Sequence, residues 1–245
     1  MSEKTHAKNL DNLDIRIAIA ESMGSLYNTS NEMIKLDNLR AFRDSCRAVS
    51  DAYSAALPVK QNRIDERQAA FKAVSARLGL FVKAAVGQGL GEDVIERLRA
   101  SVADYRGVRI GAKTPDDPLT PDVDESKANN SVSNRSFAGL LEKHQFFGEQ
   151  LKTDAIYKPT EELFKIETYD AWHDELQGIN TAAINARILA DTSRAALLQM
   201  MYNAVDGLLP RMKQQLGYLE TLLAATDPRL KQAKSLKFVE PRILQ

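Results

Sequence analysis

The chain has 245 residues, 44% of them hydrophobic, enough to build a sizeable core in one large domain or two ordinary ones. Its 33 basic residues balance 33 acidic ones, so no overall charge draws it toward nucleic acid or an acidic membrane. A single cysteine, Cys46, excludes an internal disulfide scaffold, and no apolar run nears the roughly 18 residues that mark a membrane span.

The polar opening MSEKTHAKNLDNLD lacks the apolar core of a secretion signal, which points to a cytoplasmic protein. Residues 10–25 then read as a short helix. LYNTSNEMIK (26–35) follows, with Thr29 or Ser30 as a helix N-cap and Glu32 completing a capping box. Tyr27 is placed to fold back over the first turn. From there Leu39, Phe42, Cys46, Val49, Tyr53 and Ala56 recur at helical spacing, and Ile64, Phe71, Val74, Leu78 and Phe81 continue the stripe. Pro58 lies between the two runs and predicts a kink or short break. In RIDERQAAFKAVSAR (63–77) basic residues alternate with Asp65, Glu66 and apolar positions, the pattern of a solvated helix face. EDVIERLRASVADYR (92–106) is a further short helix.

Residues 111–135 hold three of the eight prolines and several acids but almost no large apolar side chains, which predicts a mobile linker. A helix is expected at 136–152. IYKPTEELFK (156–165) then repeats 26–35 at an offset of 130, pairing Tyr27 with Tyr157, Glu32 with Glu162 and Lys35 with Lys165. The register continues through Phe42 and Trp172, Asp44 and Asp174, and Cys46 and Leu176. Thr160 is the expected cap of the second copy. Its stripe runs Tyr169, Trp172, Leu176, Ile179, Ala183, Ala186, Leu197, Met201, Val205, Leu208, Met212 and Leu216 as nearly continuous helix, with GLLP (207–210) expected to bend it as Pro58 bends the first. DPRLKQAKSLKF (227–238) closes with a turn or two of helix and an extended tail.

The common register argues for an internal duplication. It predicts an all-α protein of elongated helical bundles, with long antiparallel helices and short flanking ones. The expected divisions are a first repeat at 1–110, the linker at 111–135 and a second repeat at 136–245.

Tyr157, Pro159, Glu162 and Lys165, the Ser136-Phe137 pair, and Pro228, Lys231, Gln232, Leu236, Lys237 and Phe238 form a pattern that resembles a family of all-helical proteins of Bacteroidota. The resemblance covers the second repeat well and the first loosely. It implies a helical fold and a bacterial setting, and no activity.

Chemistry is sparsely signposted. No glycine-rich phosphate loop follows a strand, and no Gly-x-Ser-x-Gly occurs. Cys46 falls on the apolar stripe and reads as a small buried hydrophobe. His6 lies near the terminus. His144 has no Glu-x-x-His partner, and Asp170-x-x-His173 occurs once, with Arg40 and Arg43 in its place in the first repeat. No catalytic, cofactor or metal residue is therefore assigned, and His173 reads as an exposed helical histidine. Phe146, Phe147 and Trp172 are expected in the core. The favoured reading is a non-catalytic helical binding or scaffolding protein, with an unknown protein partner or self-association and no nucleic-acid or membrane partner. The alternative is an enzyme with a distributed site near Asp170, His173 and Asp174.

Overall fold

The computed structural model describes residues 3–107 and 136–239, so the linker reading of 111–135 falls outside the described residues. The structure is all-α, 82% helical, with no strand among the described residues. Seven helices follow in order among them: α1 (Glu3–Glu21), α2 (Leu36–Gly87), α3 (Glu92–Arg106), α4 (Phe137–Lys152), α5 (Ile166–Tyr202), α6 (Leu208–Leu222) and α7 (Pro228–Ser235).

Two compact units form, and each draws on both repeats. Residues 1–60 with 186–245 make the first, and residues 61–185 make the second. The boundary falls inside α2 and inside α5. In the first unit the early part of α2 supplies Leu39, Phe42 and Cys46 to a core shared with Leu197 and Met201 of late α5. A second cluster there joins Tyr27 of the connecting turn to Leu219 of α6 and Leu230 of α7. In the second unit late α2 places Phe71, Val74, Leu78 and Phe81 against Trp172 and Leu176 of early α5, with α3 and α4 completing the core. Cys46 is fully buried, and burial pushes its thiol up to about 12.

The duplicated motif builds the same device twice, though not the one its capping residues suggest. A single turn of 3-10 helix forms at Glu32–Ile34 and again at Glu162–Phe164. Tyr27 donates its hydroxyl to the Ile34 carbonyl at 2.7 Å, and Tyr157 does the same to Phe164 at 2.9 Å. Glu32 pairs with Lys35, and Glu162 pairs with Lys165. Asn38 and Thr168 both donate to the carbonyl of that glutamate. Lys35 and Lys165 are extended, and the long helices start one residue later. The expected caps Thr29, Ser30 and Thr160 are thus too early. Asn31 caps the first 3-10 turn, accepting from Met33 N at 3.0 Å.

Two other expectations change. First, α2 continues as helix through Pro58 without a break. Proline removes the bond to the carbonyl four residues back, but Ser54 is exposed there and water can serve it. Second, the second stripe is interrupted at 203–207, a full break just ahead of the GLLP segment where only a bend was expected. Asn203 accepts from Val205 N at 2.8 Å in an Asx turn, and Gly207 N returns to Asn203 O at 3.0 Å. A Cβ on Gly207 would lie 2.5 Å from Asn203 O, so only glycine fits. Val205 consequently leaves the core and is 76% exposed. His6, near the terminus, is partly buried on α1, with Nδ1 3.0 Å from the Tyr202 hydroxyl.

Candidate functional site

Helices α4 and α5 of the second unit enclose the polar cavity nearest to the Asp170, His173 and Asp174 alternative. Its volume is about 230 Å³. Gln145, Gly148, Glu149 and Lys152 present one face of α4, while Tyr169, Asp170, His173 and Asp174 present the first turns of α5. The three residues named from sequence therefore do share a cavity. The spacing explains this: positions 170, 173 and 174 sit on one helical face, as do 145, 148, 149 and 152.

Within the cavity the charges largely answer one another. Lys152 lies 2.9 Å from Asp170 and 3.1 Å from Glu149, and these carboxylates raise its pKa. Tyr169 donates its hydroxyl away from the cavity, to the His144 carbonyl at 2.6 Å, and burial raises its pKa. His173 is half-buried rather than exposed, because its Nδ1 meets Nδ1 of His144 at 3.1 Å. One ring must donate in that contact and the other accept.

His144 is the residue that sequence reasoning missed. It is fully buried, stacked on Tyr169 at 4.5 Å and edge-on to Trp172 at 4.4 Å. Its Nε2 has no hydrogen-bond partner among the described residues. A signal was present: His144, Phe147 and Leu151 follow the i, i+3, i+7 spacing of the buried face of α4. Gly148 makes this packing possible. A Cβ there would stand 2.5 Å from the Tyr169 ring, which is itself 1% exposed. Gly148→Ala is therefore expected to destabilise the fold by about 1–3 kcal/mol, the cost of overpacking a rigid core. An unchanged denaturant midpoint would contradict that.

The first repeat fills the same places differently. Lining up the buried faces of α1 and α4 sets Leu13 against His144, Ile17 against Gly148 and Glu21 against Lys152. By register Ile17 and Leu39 correspond to Gly148 and Tyr169, and the Glu21–Arg40 ion pair corresponds to Lys152–Asp170 with its sign reversed. The histidine pair belongs to the second repeat alone.

Burial, then the His173 ring and the Arg77 guanidinium, pull the His144 pKa down to about 3. An unfolded histidine takes its proton near pH 6.5. Between these values the unfolded chain binds a proton that the folded chain refuses. The stability secured by neutral His144 is thus fully present above pH 6.5 and is lost as the pH falls toward 3. The expected loss between pH 7.5 and 5.0 is about 2 kcal/mol. His144→Leu, which restores the residue of the first repeat, should remove most of that acid sensitivity. Equal pH slopes for the two proteins in urea melts would show that His144 titrates normally.

Among the described residues no three His, Cys, Asp or Glu side chains gather as metal ligands would. No helix among them is long and apolar enough to cross a membrane. No family model, curated protein or solved structure matches the chain. The resemblance to a Bacteroidota family therefore has no match behind it and carries no part of the functional reading.

A second, larger depression lies between α3 and α4, with a volume of about 610 Å³. Phe146 stands in it 59% exposed, against the core placement expected for it, while its neighbour Phe147 is fully buried. It is the one exposed aromatic among the described residues. Arg97 and Asp104 of α3 and Glu142 and Lys143 of α4 surround it.

Proposed function

We propose that this chain is a non-catalytic helical binding protein that receives a helix of a protein partner in the α3/α4 groove. The observation that carries this reading is Phe146, left in solvent between two helices where a third could lie. An apolar anchor in a groove with charges of both signs on its rim is how amphipathic helices are held. The state of Cys46 and the mutual engagement of Lys152, Asp170 and Glu149 support it further, since neither offers a free nucleophile. The two repeats, 1–110 and 136–245, are on this reading the units of duplication, joined by 111–135.

The test is Phe146→Glu. Because the side chain is exposed, stability should change by no more than about 0.5 kcal/mol. A partner recovered on the unaltered protein from its native host should be lost. Retention of that partner by Phe146→Glu would overturn the assignment.

A second reading rests on the cavity formed by Asp170, His173 and Asp174, with His173 tied to a buried neutral histidine. That arrangement suits a small-ligand or proton-transfer site. A ligand that binds Phe146→Glu normally but not His173→Gln would favour it.

A further inference from the structure

On the other side of α3, late α2 and α3 form a separate groove of about 390 Å³. Val86, 47% exposed, is its open apolar residue, while Val82 and Val102 line it but are buried in the core. Every charged residue that lines it is a cation: Lys83 from α2, and Arg99 and Arg106 from α3. Facing helices ordinarily set opposite charges across a groove, because like charges there repel. The chain as a whole is neutral, so this excess does not follow from general basicity.

Local acids compensate it only in part. Arg99 meets Glu92 at 3.0 Å, on a carboxylate side chain that is 71% exposed. Arg106 donates to the Ser75 carbonyl at 3.3 Å, which orients the guanidinium but adds no negative charge. Lys83 has no ion-pair or hydrogen-bond partner among the described residues.

We propose that the α2/α3 groove docks an acidic amphipathic helix of a partner protein. Its apolar face would lie on Val86, and its flanking carboxylates would meet Lys83, Arg99 and Arg106. The two grooves share no lining residue, so this proposal does not rest on the role given to Phe146.

The experiment uses the full chain and two fluorescent helical peptides with the same leucine face, one flanked by glutamates and the other by lysines. Fluorescence anisotropy should show the acidic peptide binding at least about tenfold more tightly at low salt, with the preference shrinking as salt is added. The double variant Lys83→Glu, Arg106→Glu should lose that preference. Both residues are exposed, so the variant should stay folded, its melt lowered by only a few degrees through the lost Arg106 bond to Ser75 and a glutamate in the last turn of α3. Phe146→Glu should bind the acidic peptide as before. Equal affinity for the two peptides, no binding of the acidic one, or unchanged binding by the charge-reversed variant would each overturn the proposal. Dodecanoate binding at Lys83 and Arg106 where the acidic peptide does not would overturn it in favour of a small anionic amphiphile.

Discussion

Truncating Trp172 to alanine is expected to cost about 3–5 kcal/mol, the range for a large aromatic removed from a core. The indole is 8% exposed and lies at the centre of the second unit's core. It is edge-on to His144 and to Tyr169 and stacks on Phe81 at 6.3 Å. The Arg77 guanidinium sits 4.1 Å over its ring, and Arg77 Nε is buried without a hydrogen-bond partner among the described residues. Removing the ring takes away the aromatic face on which that cation rests, which adds to the cavity cost. The chain has one tryptophan, so the comparison should follow helical circular dichroism in urea rather than fluorescence. A loss under about 1 kcal/mol, typical of surface changes, would mean that Trp172 is not a core residue.

Arg16→Ala should be comparably damaging to the first unit, at about 4 kcal/mol, from the acceptors it would strand. Arg16 is 1% exposed and has no carboxylate within ion-pair distance among the described residues. Its guanidinium instead donates to Gln215 Oε1 at 3.0 Å, Met212 O at 2.9 Å and Ala233 O at 3.0 Å. One side chain thus ties α1 to α6 and α7. Burial lowers its pKa to about 10, so it remains charged at neutral pH. Alanine would leave Gln215 Oε1 and the Ala233 carbonyl, in the last turn of α7, without this donor, each worth about 1–3 kcal/mol, and remove the apolar stem. The Met212 carbonyl keeps its helical bond within α6. Arg16→Lys should recover only part of the loss, because one ammonium cannot reach three acceptors in a fork. Urea melts of both variants check this, and near-native stability of Arg16→Ala would contradict it.

Much of the secondary structure was legible because local chemistry and global packing agree. Gly91 and Gly107 bracket α3 at the boundaries read from sequence, and Gly107 takes the left-handed conformation that ends the helix. The stripe from Leu39 to Phe81 faces the cores because helical spacing alone determines which side chains share a face. Where two local signals competed, sequence reasoning chose the wrong one. Thr29, Ser30 and Thr160 are good caps, but Tyr27 and Tyr157 hold a 3-10 turn that delays each helix. Asn203 and Gly207 break a stripe whose apolar phase would have continued.

The candidate sites were legible only in part, for a different reason. Asp170, His173 and Asp174 lie close in sequence, so one helix brings them together. His144 is 29 residues from His173, and their pairing depends on how α4 packs on α5. That packing in turn depends on Gly148, whose missing Cβ admits Tyr169. The spacing of His144, Phe147 and Leu151 does carry the phase of α4, and it turns Phe146 about 100° away from that face, but both phenylalanines were expected in the core because large apolar side chains usually are. The grooves beside α3 exist only once α2, α3 and α4 have assembled.

The binding role of the α3/α4 groove is tested most directly by contact rather than by affinity. A photoreactive phenylalanine analogue would replace Phe146 in one protein and Val205, which is 76% exposed in the first unit, in another. Each would be irradiated in extract of the native host. Residue 146 should yield one discrete covalent adduct that is absent at 205, and mass spectrometry should place the crosslink on a helical segment of the partner. The same adducts at both positions, or none at 146, would contradict a partner-binding groove between α3 and α4.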